Sequence, residues 1–131
     1  MAKASAKPAD AWVTGLIPMA FVADVQRSVD FYRLLGMEVR GSVKTGTGDL
    51  QWAHVACAQA NLMFARATEP VLPSQQAVLF YLYSPNVVTL REHLTAEGVH
   101  VSSITYPDYM PKGEVRVEDP DGYTLLIGQA G

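Results

Sequence analysis

The sequence predicts an α+β fold made of two β-α-β-β-β modules related by pseudo-twofold symmetry. Three observations carry this prediction. Displaced by 62 residues, the chain matches its own residue classes: Asp24 falls on Asn86, Val25 on Val87, Gly36 on Gly98, Met37 on Val99 and Val39 on Val101. The same displacement carries Val55 to Val117, Met63 to Leu125 and Phe64 to Leu126. Each copy also holds one helix bracketed by a capping residue and a glycine, and each ends in a hairpin of apolar strands. An internal repeat fixes architecture before any motif is read. Two copies are too few for a solenoid, so they predict two similar modules closing around a shared site.

Taken in order, Gly15 to Val22 is apolar on both faces, as a buried strand is. Asp24 is an N-cap, and Val25, Val29, Tyr32 and Leu35 recur at helical spacing until Gly36 ends the helix. Met37 to Val43 reads as a strand, the run from Lys44 to Asp49 as a turn, and Leu50 to Ala56 and Asn61 to Arg66 as two further strands. Ala67 to Gln76, with two prolines among polar neighbours, is the linker. Ala77 to Tyr83 begins the second copy. Asn86 caps a helix carrying Val87, Leu90 and Leu94 and ended by Gly98, and Val99 to Ile104 is the next strand. A loop from Tyr106 to Gly113 precedes the strand Glu114 to Glu118. Asp119 to Gly122 is a turn dense in turn formers, and Tyr123 to Gln129 is the last strand. The expected organisation is a disordered tail at 1–13 and one domain at 14–131, with modules at 14–66 and 77–131.

Composition excludes several classes. With 131 residues the chain suits a single domain able to bury a core. Ten basic and thirteen acidic residues give a formal charge of −3, and no Lys/Arg run stands out, which argues against nucleic acid and anionic membranes as partners. The single Cys57 excludes an internal disulfide and a cysteine-built zinc site. The first dozen residues lack the apolar segment of a signal peptide, and no apolar run is long enough to span a bilayer. The expectation is a soluble cytoplasmic protein.

The stretch D-V-x3-V-x-F-Y-x2-L-G at Asp24–Gly36 and E-D-P-D-G-Y at Glu118–Tyr123, set in a doubled β-α-β-β-β pattern, resemble the glyoxalase/bleomycin-resistance/extradiol-dioxygenase group, the vicinal-oxygen-chelate superfamily. The resemblance covers residues 15 to 129. It implies a mixed, curved sheet forming an open cleft, and a frequent homodimer whose clefts draw on both chains. Reaction is not implied, since such proteins include isomerases, dioxygenases, thiol transferases, epimerases and proteins that only sequester a drug.

Many members hold one divalent metal through His, Glu or Gln on the first and last strands of each module. The resemblance puts those positions seven residues before each helix cap and seven after the first Asp of the DPDG turn. Here they are Ile17, Leu79 and Leu126, with Phe64 as the fourth by the displacement of 62. None offers the oxygen or nitrogen lone pair a divalent ion requires. No metal and no other cofactor is therefore expected.

Side chains alternate along strands, so these positions mark the cleft face. That face is expected to carry Ile17, Met19 and Phe21, Leu79, Tyr81 and Tyr83, Leu62, Phe64 and Arg66, and Thr124, Leu126 and Gly128. Trp52, His54, Glu114 and Arg116 join it from the third strands. An apolar, aromatic lining with a few polar groups is how small-molecule sites are built. The bland reading stands beside it: Ile17, Phe64, Leu79 and Leu126 as packed core, Tyr81 and Tyr83 as rim, Glu114 and Arg116 as a charged edge. Trp52 suits a ligand or a dimer interface, and Arg66 and Arg116 suit an anionic group on a ligand. The loop bearing Tyr109 is long enough for a lid.

Two activities remain open on these residues. The first is a metal-free binding protein that holds a small, partly planar organic molecule, as in antibiotic sequestration. The second is a lyase or isomerase using His54 with Glu114 or Tyr81 as acid and base. A metal enzyme with displaced ligands such as His54 and Glu114 is the remaining variant. A homodimer is the expected assembly.

Overall fold

The computed structural model describes residues 12–131. The expected N-terminal tail at 1–13 therefore lies almost wholly outside the described residues. The elements are β1 (Met19–Val22), α1 (Val25–Arg33), β2 (Glu38–Lys44), β3 (Leu50–Cys57), β4 (Ala60–Arg66), β5 (Leu79–Ser84), α2 (Val87–Ala96), β6 (Glu114–Glu118) and β7 (Thr124–Gln129). They form two sheets, ordered β1-β4-β3-β2 and β5-β7-β6. In each, the first strand runs parallel to the last and the remaining pairs are antiparallel.

The repeat is visible in the hydrogen bonds of the helix ends. Asp24 accepts from the Arg27 N–H at 3.1 Å, and Asn86 from the Thr89 N–H at 3.0 Å. At the other end, Met37 N–H donates to the Tyr32 carbonyl at 3.2 Å and Val99 N–H to the Leu94 carbonyl at 2.9 Å. Both are the six-to-one bonds of a Schellman close, made possible by Gly36 at φ 91° and Gly98 at φ 84°. Val25, Val29 and Tyr32 of α1 then pack with Ala53, Val55 and Phe64 of the sheet beneath them. Burying a side chain of this size contributes roughly 1.5–3 kcal/mol.

Three expectations are corrected. The first strand begins at Met19 rather than Gly15, since Pro18 has no N–H for the ladder, although its carbonyl still accepts from Met63 N–H at 2.9 Å. The segment Val99–Ile104 forms no regular strand. It meets β6 through isolated bridges at Val101 and Thr105, and between them Arg116 N–H donates at 2.8 Å to the Ser102 hydroxyl. A side-chain oxygen there takes the bond a ladder carbonyl would take. The displacement of 62, finally, does not hold to the end of the chain. Val55 lies opposite Leu62, but its equivalent Val117 lies opposite Leu125, so the last strands are related by 63. The first hairpin turns through Ala58 and Gln59, and the second inserts one residue more, through Pro120, Asp121 and Gly122.

That larger turn joins the modules. Tyr32 donates to Asp119 Oδ2 at 2.8 Å, Ala23 N–H to Asp121 Oδ1 at 2.9 Å, and the Tyr123 hydroxyl to the Phe21 carbonyl at 2.7 Å. The two motifs that carry the family resemblance are thus each other's partners in space. On the pseudosymmetric side the shorter turn at Cys57–Ala60 reaches less far. It leaves a cavity of about 710 Å³ against Tyr83, Leu90 and Ile127. Among the described residues no helix is long and apolar enough to cross a membrane.

Candidate functional site

In the second module the strand register places Leu79, Tyr81 and Tyr83 of β5 on one face with Thr124, Leu126 and Gly128 of β7 and Glu114 and Arg116 of β6. The other face, with Leu125, Ile127, Val115 and Val117, is core. Alternation forces this division, because Val115, Val117, Leu125 and Ile127 are buried and Phe80 and Leu82 are partly buried against the same core.

Glu114 is the centre of the open face. It is only 6% exposed, and both its oxygens are engaged: Tyr81 donates to Oε2 at 2.6 Å and Tyr109 to Oε1 at 2.9 Å. The Tyr81 ring lies 5.3 Å from Tyr83 and 6.4 Å from Tyr109, centroid to centroid. Partial burial, the bond to Glu114 and that carboxylate's charge hold the Tyr81 hydroxyl above its usual pKa. For Tyr109 the bond to Glu114 is the first cause of a shift in the same direction. Both therefore remain donors at neutral pH. Gly128 makes the arrangement possible, since a Cβ there would stand 2.7 Å from the Tyr81 hydroxyl and 2.6 Å from Met110 Cε. Met110 belongs to the loop expected as a lid, and it lies over this strand. Arg116 stands on the same face but is turned to Glu118 at 3.9 Å and Thr124 at 3.4 Å.

The first module presents Met19 and Phe21 of β1, Met63 and Ala65 of β4, and Trp52 and His54 of β3 on its open face. Trp52 lies over Gly41 of β2, where an added Cβ would meet the indole at 3.5 Å. His54 Nε2 is 2.9 Å from Asn61 Oδ1. Ile17 precedes β1 and is exposed.

Phe64 and Arg66 are corrected. Both lie on the face of Ala20 and Val22, where Phe64 is fully buried and its ring centroid is 5.1 Å from that of Tyr32. Arg66 ends β4 on that side, away from Trp52 and His54. Leu62 belongs to the core with Phe64, whereas Arg66 is exposed. The error has one cause, the inserted residue in the second hairpin, which shifts the last strands by one and reverses the face. Met63, Ala65 and Asn61 are the open-face residues that sequence reasoning missed. The differing turn lengths, Cys57–Ala60 against DPDG, were the available signal. His54 and Glu114, expected to act together, stand on different sheets with separate partners.

With the register corrected, the four positions that would hold the superfamily's metal are Ile17, Met63, Leu79 and Leu126. Three are hydrocarbon and one is a thioether, a donor set that does not fit a hard divalent ion. Among the described residues no three His, Cys, Asp or Glu side chains gather where a metal could sit.

Comparison with known proteins agrees with this architecture. The family model described as Glyoxalase/Bleomycin resistance protein/Dioxygenase superfamily matches residues 15–127. No curated protein matches the sequence. Among solved structures, a bleomycin-binding protein complexed with bleomycin superposes with a TM-score of 0.70 at 16% identity, covering 91% of this chain and 100% of that one. A bleomycin resistance determinant encoded on the transposon Tn5 gives a TM-score of 0.71 at 14% identity, covering 89% and 98%. TnmS3, an antibiotic binding protein from Streptomyces sp. CB03234, gives 0.70 at 20% identity, covering 92% and 99%. At these identities the likeness is one of fold.

Proposed function

The chain belongs to the glyoxalase/bleomycin resistance protein/dioxygenase superfamily, and on that premise we propose that it binds a small, partly planar organic molecule without a metal. The observation that carries this reading is the exposure of its open faces. Met19, Phe21, Leu79 and Tyr83 are each more than half exposed although they stand in the strands that build the core. Apolar and aromatic side chains held in regular strands and left uncovered mark a binding surface. The apolar residues at the superfamily's metal positions support binding without a metal. Antibiotic sequestration is the biological form this activity takes in our reading, in line with the bleomycin-binding and antibiotic binding proteins among the structural neighbours.

The same exposure supports a C2 homodimer in which a second copy covers part of these faces and completes the cleft. Trp52 and Phe21 would then meet ligand or partner. A lyase or isomerase reading finds less support, because His54 bonds to Asn61 and the Glu114 oxygens are taken by two tyrosines.

A thermal-shift screen with flat aromatic antibiotics and small carboxylates, with and without divalent metal, tests the proposal. Stabilisation by an aromatic compound alone, with quenching of Trp52 fluorescence, is expected. Stabilisation that requires added metal would overturn it.

A further inference from the structure

We propose that Tyr81, Tyr83, Tyr109 and Glu114 form a subsite for an organic cation, a protonated amine or quaternary ammonium group carried by the ligand. The inference rests on the reading of the open faces as the ligand surface and adds the charge of what binds there.

Charge balance at Glu114 calls for a cation. Glu114 is almost completely buried, and its hydrogen-bond partners are two neutral hydroxyls. Among the described residues no Lys, Arg or His pairs with it, and the nearest basic residue along its own strand, Arg116, pairs with Glu118 instead. Buried carboxylates are ordinarily matched by a cation. Two of the roughly four lone-pair directions of a carboxylate are used here, so it retains accepting capacity.

The aromatic surround favours a cation as well. The rings of Tyr83 and Tyr109 flank Tyr81, and those flanking rings are largely exposed. Ring faces attract cations within about 6 Å of the centroid. A tyrosine that donates to a carboxylate at 2.6 Å makes a short, charge-assisted bond, which pushes electron density into the ring and strengthens that attraction. An anionic ligand group would meet the opposite field.

The cage is also preorganised. Tyr81 reaches Glu114 only because position 128 is glycine, and Met110 closes over the same point. A cage set before binding loses less side-chain entropy on capture.

The test compares choline with its neutral isostere 3,3-dimethylbutan-1-ol, and benzyltrimethylammonium with benzoate, each titrated into the full chain and followed by NMR. The cations are expected to bind at least about tenfold tighter than the neutral or anionic partner. Their N-methyl protons should move upfield under the tyrosine ring currents. Glu114→Gln removes the charge, keeps one tyrosine donating to its amide oxygen and lets its amide N–H donate to the other hydroxyl, and it should abolish the preference. Tyr83→Leu, at an exposed position, should weaken the cations about tenfold with the melting temperature unchanged. Equal binding of cation and isostere, or a preference that survives Glu114→Gln, overturns the subsite. Binding of benzoate or of uncharged aromatics to the open faces would do so while leaving the proposed function standing. If none of these probes binds at millimolar concentration, the subsite fails, and the proposed function falls with it only if the aromatic antibiotics of the thermal-shift screen also fail to bind.

Discussion

The hydroxyl of Tyr32, on the helix of the first module, donates to Asp119 Oδ2, in the turn of the second, at 2.8 Å. Asp119 also accepts through Oδ1 from the Asp121 and Tyr123 N–H groups at 2.9 Å each. Burial drives its carboxyl above the usual range, and these three bonds oppose that shift. One side chain therefore shapes the turn and ties it to the helix of the other module.

Tyr32→Phe removes the bond and leaves a buried carboxylate oxygen without its donor. A loss of about 2 kcal/mol in unfolding free energy is expected, measured by urea denaturation with m unchanged.

Stability should fall at alkaline pH. Burial first, then the Asp119 charge, holds the Tyr32 hydroxyl far above its ordinary pKa. The unfolded chain ionises this tyrosine near pH 10 while the folded chain keeps its proton. Its stabilising contribution is thus complete below about pH 10 and is lost as pH rises beyond, by about 1.4 kcal/mol per pH unit. Tyr32→Phe should make the alkaline slope shallower by that amount.

Two glycines with the same φ of 84° should respond differently to alanine. At Gly98 an added Cβ meets nothing within 4 Å, so Gly98→Ala should cost about 1 kcal/mol of backbone strain. At Gly122 it would stand 2.4 Å from Pro73 Cβ and 2.7 Å from its Cα. Gly122→Ala should cost about 3 kcal/mol, strain and clash together. Equal melting temperatures for the two variants would refute the linker contact.

Added divalent ions should leave the melting temperature within error, and a chelator should have no effect, because Ile17, Met63, Leu79 and Leu126 offer no hard donor. Metal retained at one equivalent through purification and visible by elemental analysis would contradict this.

Sedimentation should give the mass of a dimer, and Phe21→Asp should shift it toward monomer. Phe21 is exposed, so circular dichroism should remain unchanged while the apolar contact is lost.

Much of this was legible in the sequence because it depends on local chemistry. The caps Asp24 and Asn86, the terminating Gly36 and Gly98 and the alternation along β5, β6 and β7 follow from positions a few residues apart. The open face of the second module was read correctly for that reason. The last strand of the first module was misread, since a ruler of constant length does not register one added turn residue. Phe64 on the wrong face was the consequence. The segment from Val99 to Ile104 has strand-forming residues, but whether it pairs regularly depends on where β6 lies and on the Ser102 hydroxyl.

By itself the sequence determined the doubled architecture, the residues that cap the two helices and the glycines that end them. Each of these is written in residue type and short spacing. The tertiary structure alone decided that β4 turns Met63 and Ala65 rather than Phe64 to its open face, that Glu114 is buried beneath Tyr81 and Tyr109, and that Tyr32 and Asp119 join the modules. Those contacts link residues far apart in the chain. They arise only when the backbone has closed and burial has fixed which polar groups must find one another.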